Sequence, residues 1–158
     1  MKDSLLRTGR AALVPVLACA VALGGLTAWT ASGAAGRPAS VTVEDGRILL
    51  PFGIDDTAAM FSLRNTGDAD DELIAVDVPS AGGAMLSRTV VKNGAGSMRM
   101  VPTATVPARS TLKMTPHTLD IMVYRPPQVR VGDTVQVVLR FRESGTVRAE
   151  AKVVRPGN

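Results

Sequence analysis

Hydrophobic and polar residues alternate along short segments of this chain from about residue 41 onward. The clearest alternation lies in residues 134–141 and 146–154, two segments that Arg142-Glu143-Ser144-Gly145 separates. In the first, Val135, Val137, Leu139 and Phe141 share one face. Such a period of two is typical of a β-strand with one buried face. The two segments therefore predict a pair of neighbouring strands.

Similar segments, separated by turn residues, occur through the rest of the chain. They predict strands at residues 57–64, 72–78, 84–91, 97–100, 103–106, 110–114 and 120–124. Upstream, Val41–Glu44 and Arg47–Leu50 flank Asp45-Gly46, a dipeptide that favours a two-residue hairpin turn. No segment after residue 35 keeps an apolar period of 3.6 over ten residues. Many short strands at close spacing predict an all-β sandwich or barrel.

The first 35 residues have a different pattern. Three basic residues, Lys2, Arg7 and Arg10, precede nineteen residues without a charge, from Ala11 to Trp29. A basic start followed by an apolar stretch and small residues is typical of a bacterial secretion signal. The apolar stretch is also long enough to remain as a membrane anchor.

A third interpretation of this segment involves Cys19. The sequence Val16-Leu17-Ala18-Cys19 loosely resembles the box at which lipoproteins are acylated, although the residues after Cys19 stay apolar. All three interpretations predict an extracytoplasmic protein. We therefore expect residues 1–35 to be a signal or anchor, residues 36–56 a tether and first hairpin, and residues 57–155 the β-sandwich.

The composition restricts the chemistry that this domain can perform. The 158 residues include seven Met but only one His and one Cys. These counts exclude a zinc site of His and Cys alone, a cysteine-ligated iron–sulfur cluster and a disulfide framework. They leave open a site built from thioether sulfur.

Charge adds little to the functional assignment. The net charge is +4, but residues 36–158 carry 15 basic and 13 acidic residues without a basic run. Aromatic residues make up 3% of the chain, too few to provide a platform for stacked bases. We therefore expect no nucleic-acid binding.

Residues 58–76, AAMFSLRNTGDADDELIAV, resemble the opening of the periplasmic copper chaperones of the PCu(A)C family. The fragments MRMV, VPA, the Pro116 turn, GDTVQVVLRF and SGTVRAEAKV follow in that family's order. The resemblance extends from Met60 to Val154. It implies a cupredoxin-like β-sandwich, an extracytoplasmic copper-binding role without catalysis, and a monomer.

The family binds copper through His, ten residues, Met, twenty-one residues, His, one residue and Met. In this chain, that spacing falls on Ser87, Met98, Asp120 and Met122. Both methionines match, whereas serine and aspartate replace the two histidines. Thioethers select Cu(I), but carboxylate is a harder ligand and a neutral hydroxyl is a poor one. We therefore expect copper to bind more weakly here than in a member with both histidines.

Neighbouring residues offer two forms of compensation. Residues two apart in a strand share a face, which pairs Met85 with Ser87, Met100 with Met98 and Met122 with Asp120. A wider thioether site including Met85 and Met100 is one form, and an approach of His117 from the Thr115–Thr118 turn is the other. The alternative is that these methionines fill the core of an aromatic-poor domain and that His117 is simply exposed.

These observations give two hypotheses for the function. The first is weak Cu(I) capture through methionine and transfer by ligand exchange to copper-centre assembly proteins of the cell envelope. The second is a metal-free member of the same fold that acts as a protein-interaction module.

Two further assignments are less well supported. Ser87, His117 and Asp120 are the residue types of a hydrolytic triad, but no nucleophile-elbow sequence accompanies them. The acidic residues 68 and 70–72 suggest calcium, but the glycine and distal glutamate of an EF-hand loop are absent. We expect the acidic residues to form a polar turn.

Overall fold

A computed structural model describes residues 2–33, 36–52, 56–92 and 95–157, and within them it omits the side chains of residues 2–14, 92 and 95. The chain divides into two compact units, residues 1–37 and residues 38–158. The basic side chains of Lys2, Arg7 and Arg10, on which the signal prediction depends, lie outside the described residues.

The first unit contains helix α1, which extends from Lys2 to Ala31 and includes Pro15. Its described side chains are exposed, among them the free thiol of Cys19. Within the part of the chain that the structure describes, no helix is both long and apolar enough to cross a membrane.

The described residues of the second unit form ten β-strands. They are β1 (Val41–Leu49), β2 (Thr57–Asn65), β3 (Asp71–Asp77), β4 (Gly83–Lys92), β5 (Ala95–Met100), β6 (Ala104–Val106), β7 (Thr111–Lys113), β8 (Leu119–Tyr124), β9 (Thr134–Phe141) and β10 (Thr146–Val154). Each segment predicted from residue 57 onward is a strand, and β9 and β10 have the predicted bounds. The all-β fold is therefore confirmed.

The strands form one folded sheet in the order β5-β4-β8-β2-β1-β10-β9-β3-β6, and β7 also pairs with β2. The sheet curls round so that β3 packs against β4, which are the strands next to its two ends. Strands β1 and β10 pair in parallel, whereas the other pairs are antiparallel. The alternating residues predicted for β9 point inward, since all four are at most 3% exposed.

The predicted first hairpin is wrong. Residues 41–49 form the single strand β1, and both of its halves pair with β2 across a register shift between Glu44 and Arg47. A two-residue type I′ turn needs positive φ at both central residues, but only Asp45 has it, with φ of 51°. Asp45-Gly46 is therefore a bulge within a strand.

The acidic residues of the 67–72 region tie loops together, as the polar-turn prediction implied. Arg109 pairs with Asp68, and the Ala108 amide donates to Asp70. Ser144 and the Glu143 amide donate to Asp71, and Arg142 pairs with Glu72. These protein donors occupy carboxylate oxygens that a calcium site would need. The geometry does not support calcium binding there.

Candidate metal site

The four positions that match the copper motif lie on one face of three neighbouring strands, β5, β4 and β8. Residues directly opposite each other in antiparallel strands point to the same side, as do residues two apart in one strand. We call this surface the thioether face; its members are Met85, Ser87, Thr89, Met98, Met100, Asp120, Met122 and Tyr124. The intervening residues Leu86, Ile121 and Val123 point to the core and are buried.

The register arranges the thioether face in rows across the strands. Ser87 lies opposite Met100 on one side and opposite Asp120 on the other, and these three form the central row. The row on one side joins Met85 to Met122, and the row on the other side joins Thr89 to Met98. The structure thus brings Met98 and Met122 to opposite sides of Ser87 and Asp120.

Ser87 and Asp120 are buried although they do not point into the main core. Ser87 is 0% exposed and Asp120 is 3% exposed. The Ser87 hydroxyl oxygen and both carboxylate oxygens of Asp120 have no hydrogen-bond partner in the structure. A buried polar atom without a partner costs free energy, because its bonds to water are lost and not replaced. The three side-chain oxygens of this pair are therefore available as ligand atoms at the centre of the thioether face.

Burial raises the pKa of Asp120 above its usual range. The nearby Ser87 hydroxyl and the backbone amide of Asp120 oppose part of this rise, although neither makes a well-formed hydrogen bond with the carboxylate. The carboxylate is therefore a poorly solvated anion when ionised. A cation bound beside it would remove that penalty.

Four methionines occupy register positions in the row of this buried pair or in the rows next to it. Met85, Met98 and Met100 are 47%, 48% and 43% exposed, so these methionines are not core fillers. Met122 is half-buried and lies directly opposite Met85. Opposite residues have Cβ atoms about 5 Å apart, which lets two thioethers approach one metal ion. The predicted sharing of faces by these methionines is confirmed; their role as ligands stays a prediction.

His117 lies in an exposed turn beside the same face. The Thr118 amide donates to the Thr115 carbonyl, and the Thr89 hydroxyl donates to the Pro116 carbonyl over 3.0 Å. The turn is therefore fixed against the row of Thr89 and Met98. His117 itself is exposed, as one of the two sequence interpretations expected.

The hydrolytic triad does not form. A triad requires a hydrogen bond from serine to histidine and another from histidine to the carboxylate. In the described part of the chain, which includes His117, the Ser87 hydroxyl and the Asp120 carboxylate have no hydrogen-bond partner. Ser87 is also inaccessible to a substrate because it is fully buried.

A cluster of harder ligands is also absent from the described ranges. Within them, no group of three or more His, Cys, Asp or Glu side chains is placed to hold a metal ion. The other polar or soft side chains that the thioether face offers beside Asp120 are hydroxyls and thioethers. The donor set of several thioethers with one carboxylate fits a soft ion better than zinc, calcium or magnesium.

Tyr124 is a member of the face that the motif spacing did not identify. Its hydroxyl donates a hydrogen bond of 3.6 Å to the Met100 sulfur. One signal in the sequence was available, since Tyr124 follows Met122 by two residues in a predicted strand. The contact with Met100 depends on the strand order and had no local signal.

Comparisons with known proteins agree with the fold and the position of this face. The sequence model of the LpqE-like family, a family named after a lipoprotein, matches residues 41–153. The chain belongs to the LpqE-like family. No curated protein matches this LpqE-like chain.

Solved structures relate the LpqE-like chain to PCu(A)C domains, so the resemblance seen in the sequence is confirmed. The solution structure of CuI-DR1885 from Deinococcus radiodurans is 33% identical, with 75% of this chain and 80% of that chain covered and a TM-score of 0.59. The copper-bound PCuAC domain from PmoF2 is 18% identical, with 74% and 94% covered and a TM-score of 0.63. The apo PCuAC domain from PmoF1 is 20% identical, with 74% and 95% covered and a TM-score of 0.62. The predicted cupredoxin-like fold agrees with these three structures.

Proposed function

We propose that this domain captures copper as Cu(I) on the thioether face and passes it on by ligand exchange. The observation that carries the proposal is the placement of four methionines in the row of Ser87 and Asp120 and in the rows next to it, together with the buried side-chain oxygens of these two residues, which have no hydrogen-bond partner among the described residues. Two of the similar structures are a copper-bound domain and a Cu(I)-bound protein. Thioethers bind Cu(I) without needing to lose a proton, which suits weak capture and release.

The recipients we propose are copper-centre assembly proteins of the cell envelope. The partly exposed thioethers of Met85, Met98 and Met100 support this role, because an incoming ligand can reach them without unfolding the domain. Transfer would proceed through a shared metal ion that exchanges one ligand at a time. We propose no catalytic step for the domain.

The test is an anaerobic Cu(I) titration of the full chain against a chromophoric chelator. Wild-type protein should bind one equivalent, and the variant with all four face methionines changed to leucine should not. Leucine keeps the apolar volume and removes the sulfur. Met114→Leu is the matched control, because this buried methionine lies outside β4, β5 and β8 and lines a groove of about 540 Å³.

The second candidate function is a metal-free interaction module. The specific observation in its favour is the exposed apolar surface that Met85, Met98, Met100 and Val91 present, with Val91 68% exposed. If wild-type protein fails to compete with a chelator of micromolar affinity, copper capture is wrong and this second function replaces it.

We further propose that the domain is extracytoplasmic. The basic start of the chain, the apolar residues 11–29 and a family named after a lipoprotein support this location. Fractionation of cells expressing the full chain, with mass determination of the mature N-terminus, distinguishes a cleaved signal, a retained anchor and acylation at Cys19. Recovery of intact protein only from the cytoplasm would contradict the proposal.

A further inference from the structure

The contact between Tyr124 and Met100 crosses the thioether face diagonally. Tyr124 lies opposite Gly83, one row beyond the row of Met85 and Met122. Met100 belongs to the central row, on the far side of Met85 and Met122 and two strands away from Tyr124. The hydrogen bond of 3.6 Å therefore spans the row of Met85 and Met122 and draws the Met100 sulfur toward it.

The surroundings of Tyr124 leave room for this orientation. Its opposite residue, Gly83, has no side chain beside the ring, and a Cβ placed there would come to 4.0 Å from the Tyr124 ring. Tyr124 is half-buried, whereas Met100 is 43% exposed. A partly packed, rigid phenol thus restrains an exposed and flexible thioether.

The chemistry of the contact leaves Met100 able to bind a metal ion. A thioether sulfur has two lone pairs, and the Tyr124 hydroxyl engages one of them. The other lone pair remains available to a soft cation. Methionine has three rotatable side-chain bonds, so a restraint present before the metal arrives lowers the entropy lost on binding.

We propose that Met85, Met100 and Met122 form a three-thioether subsite for a soft monovalent cation, Cu(I) or Ag(I). Tyr124 is its positioning residue, because its hydroxyl holds the Met100 sulfur next to the Met85–Met122 row. The inference rests on the proposed copper function and names the donors within it. Met98 lies in the row beyond Met100, away from Met122, and is not required for this subsite.

Nuclear magnetic resonance of the full chain labelled with ¹³C at the methionine methyl groups tests the inference. Each resonance is assigned from its loss in the corresponding Met→Leu variant. One equivalent of Cu(I) added without oxygen should shift the methyl resonances of Met85, Met100 and Met122. Those of Met60, Met98 and Met114 should stay in place.

The role of the tyrosine hydroxyl has its own readouts. In the apo protein, Tyr124→Phe should shift the Met100 methyl resonance and leave the Met98 resonance unchanged. It should weaken Cu(I) binding by about fivefold, the factor that corresponds to one ordinary hydrogen bond. In a Met100→Leu background the same substitution should have no further effect, because the accepting sulfur is absent. Thermal unfolding of each variant confirms that it is folded.

The outcomes separate this inference from the broader proposal. Binding of one Cu(I) that shifts Met98 and Met122 but not Met85 and Met100 overturns the subsite and leaves copper capture intact. An equal loss of affinity from Tyr124→Phe with and without the Met100 sulfur overturns the positioning role. Absence of binding by both Cu(I) and Ag(I) overturns the subsite and copper capture together.

Discussion

At the scale of single residues, the burial of the Ser87 and Asp120 side chains is unfavourable for the folding free energy of this domain. Their side-chain oxygens are buried and have no hydrogen-bond partner among the residues that the structure describes. Burial raises the pKa of Asp120, so its contribution to stability is greatest below the unfolded-state pKa near 3.8 and is lost as the pH rises through the folded-state value. Ionisation of Asp120 therefore weakens the fold of the metal-free domain.

The first prediction concerns Asp120→Asn in the apo protein. Asparagine has nearly the same shape but cannot ionise, so the free energy of unfolding at pH 7 should rise by about 1 kcal/mol. Urea unfolding at pH 7 and pH 4 measures the effect, which should be smaller at pH 4. Asp77→Asn, at an exposed position of β3, is the control. A lower stability at pH 7 would show that the Asp120 carboxylate has a stabilising partner.

The pKa of Asp71 shifts in the opposite direction, and its carboxylate links β3 to the turn between β9 and β10. It lies at the start of β3 and accepts hydrogen bonds from the Glu143 and Ser144 amides, which belong to the turn between β9 and β10. Burial alone would raise the pKa of Asp71. Hydrogen bonds from the Ser144 hydroxyl and three backbone amides outweigh burial and lower the pKa.

The second prediction follows from the sign of that shift. A lowered folded-state pKa gives stability that is present above the unfolded-state value near 3.8 and is lost as the pH falls through the folded-state value. Asp71→Asn should lower the free energy of unfolding at pH 7 by about 1–3 kcal/mol and flatten its dependence on pH below 4. Unfolding curves from pH 2 to pH 7 check both effects. An unchanged acid dependence in the variant would contradict this role.

At the scale of elements, the bulge in β1 fixes how this strand fits between β2 and β10. A Cβ on Gly46 would lie 2.2 Å from the Glu150 carbonyl oxygen and 2.6 Å from a ring carbon of Phe61. Backbone and core atoms therefore approach Gly46 too closely for any side chain. The glycine allows β1 to pair with β2 on one side and in parallel with β10 on the other.

The third prediction compares two glycine substitutions. Gly46→Ala should destabilise the domain by about 1–3 kcal/mol, because the β10 backbone or Phe61 must move. Gly96→Ala should change stability by less than about 0.5 kcal/mol, since its new methyl group would lie 4.0 Å from the nearest atom. Thermal and urea unfolding of both variants provide the comparison. Similar stabilities for the two variants would show that the contacts at Gly46 relax freely.

At the scale of the whole molecule, the thioether face exists because distant parts of the chain become neighbours. Strand β8 begins at Leu119, yet it lies between β4 and β2. This order places Asp120 opposite Ser87 and Met122 opposite Met85. Residues more than thirty positions apart in sequence thereby share one surface.

The fourth prediction restores the imidazoles that the PCu(A)C motif would place on this surface. Ser87→His combined with Asp120→His should raise Cu(I) affinity at least tenfold, because two stronger donors then lie opposite each other between Met98 and Met122. Competition with a chelator of higher affinity measures the gain. Thr105→His, at an exposed position of β6, controls for nonspecific binding by histidine. A folded double variant without a gain would show that the motif alignment is wrong.

The sequence alone determined the positions of most strands and which residues share a face. Both properties follow from local alternation, because a side chain in a strand points away from its two neighbours. Motif spacing gave the four candidate positions, and Asp45-Gly46 gave an incorrect hairpin. The dipeptide cannot reveal whether its flanking segments pair with each other or with a third strand, because that choice depends on a strand elsewhere in the chain.

The tertiary structure alone decided the register across strands and the environment that results from it. It placed Met85 opposite Met122, buried Ser87 and Asp120 without partners, and brought Tyr124 to Met100. These outcomes depend on how the core packs when strands distant in the sequence pair, and no local pattern encodes such pairing. The sequence therefore identified the methionines, and the fold determined which of them lie opposite each other or in neighbouring rows of one face.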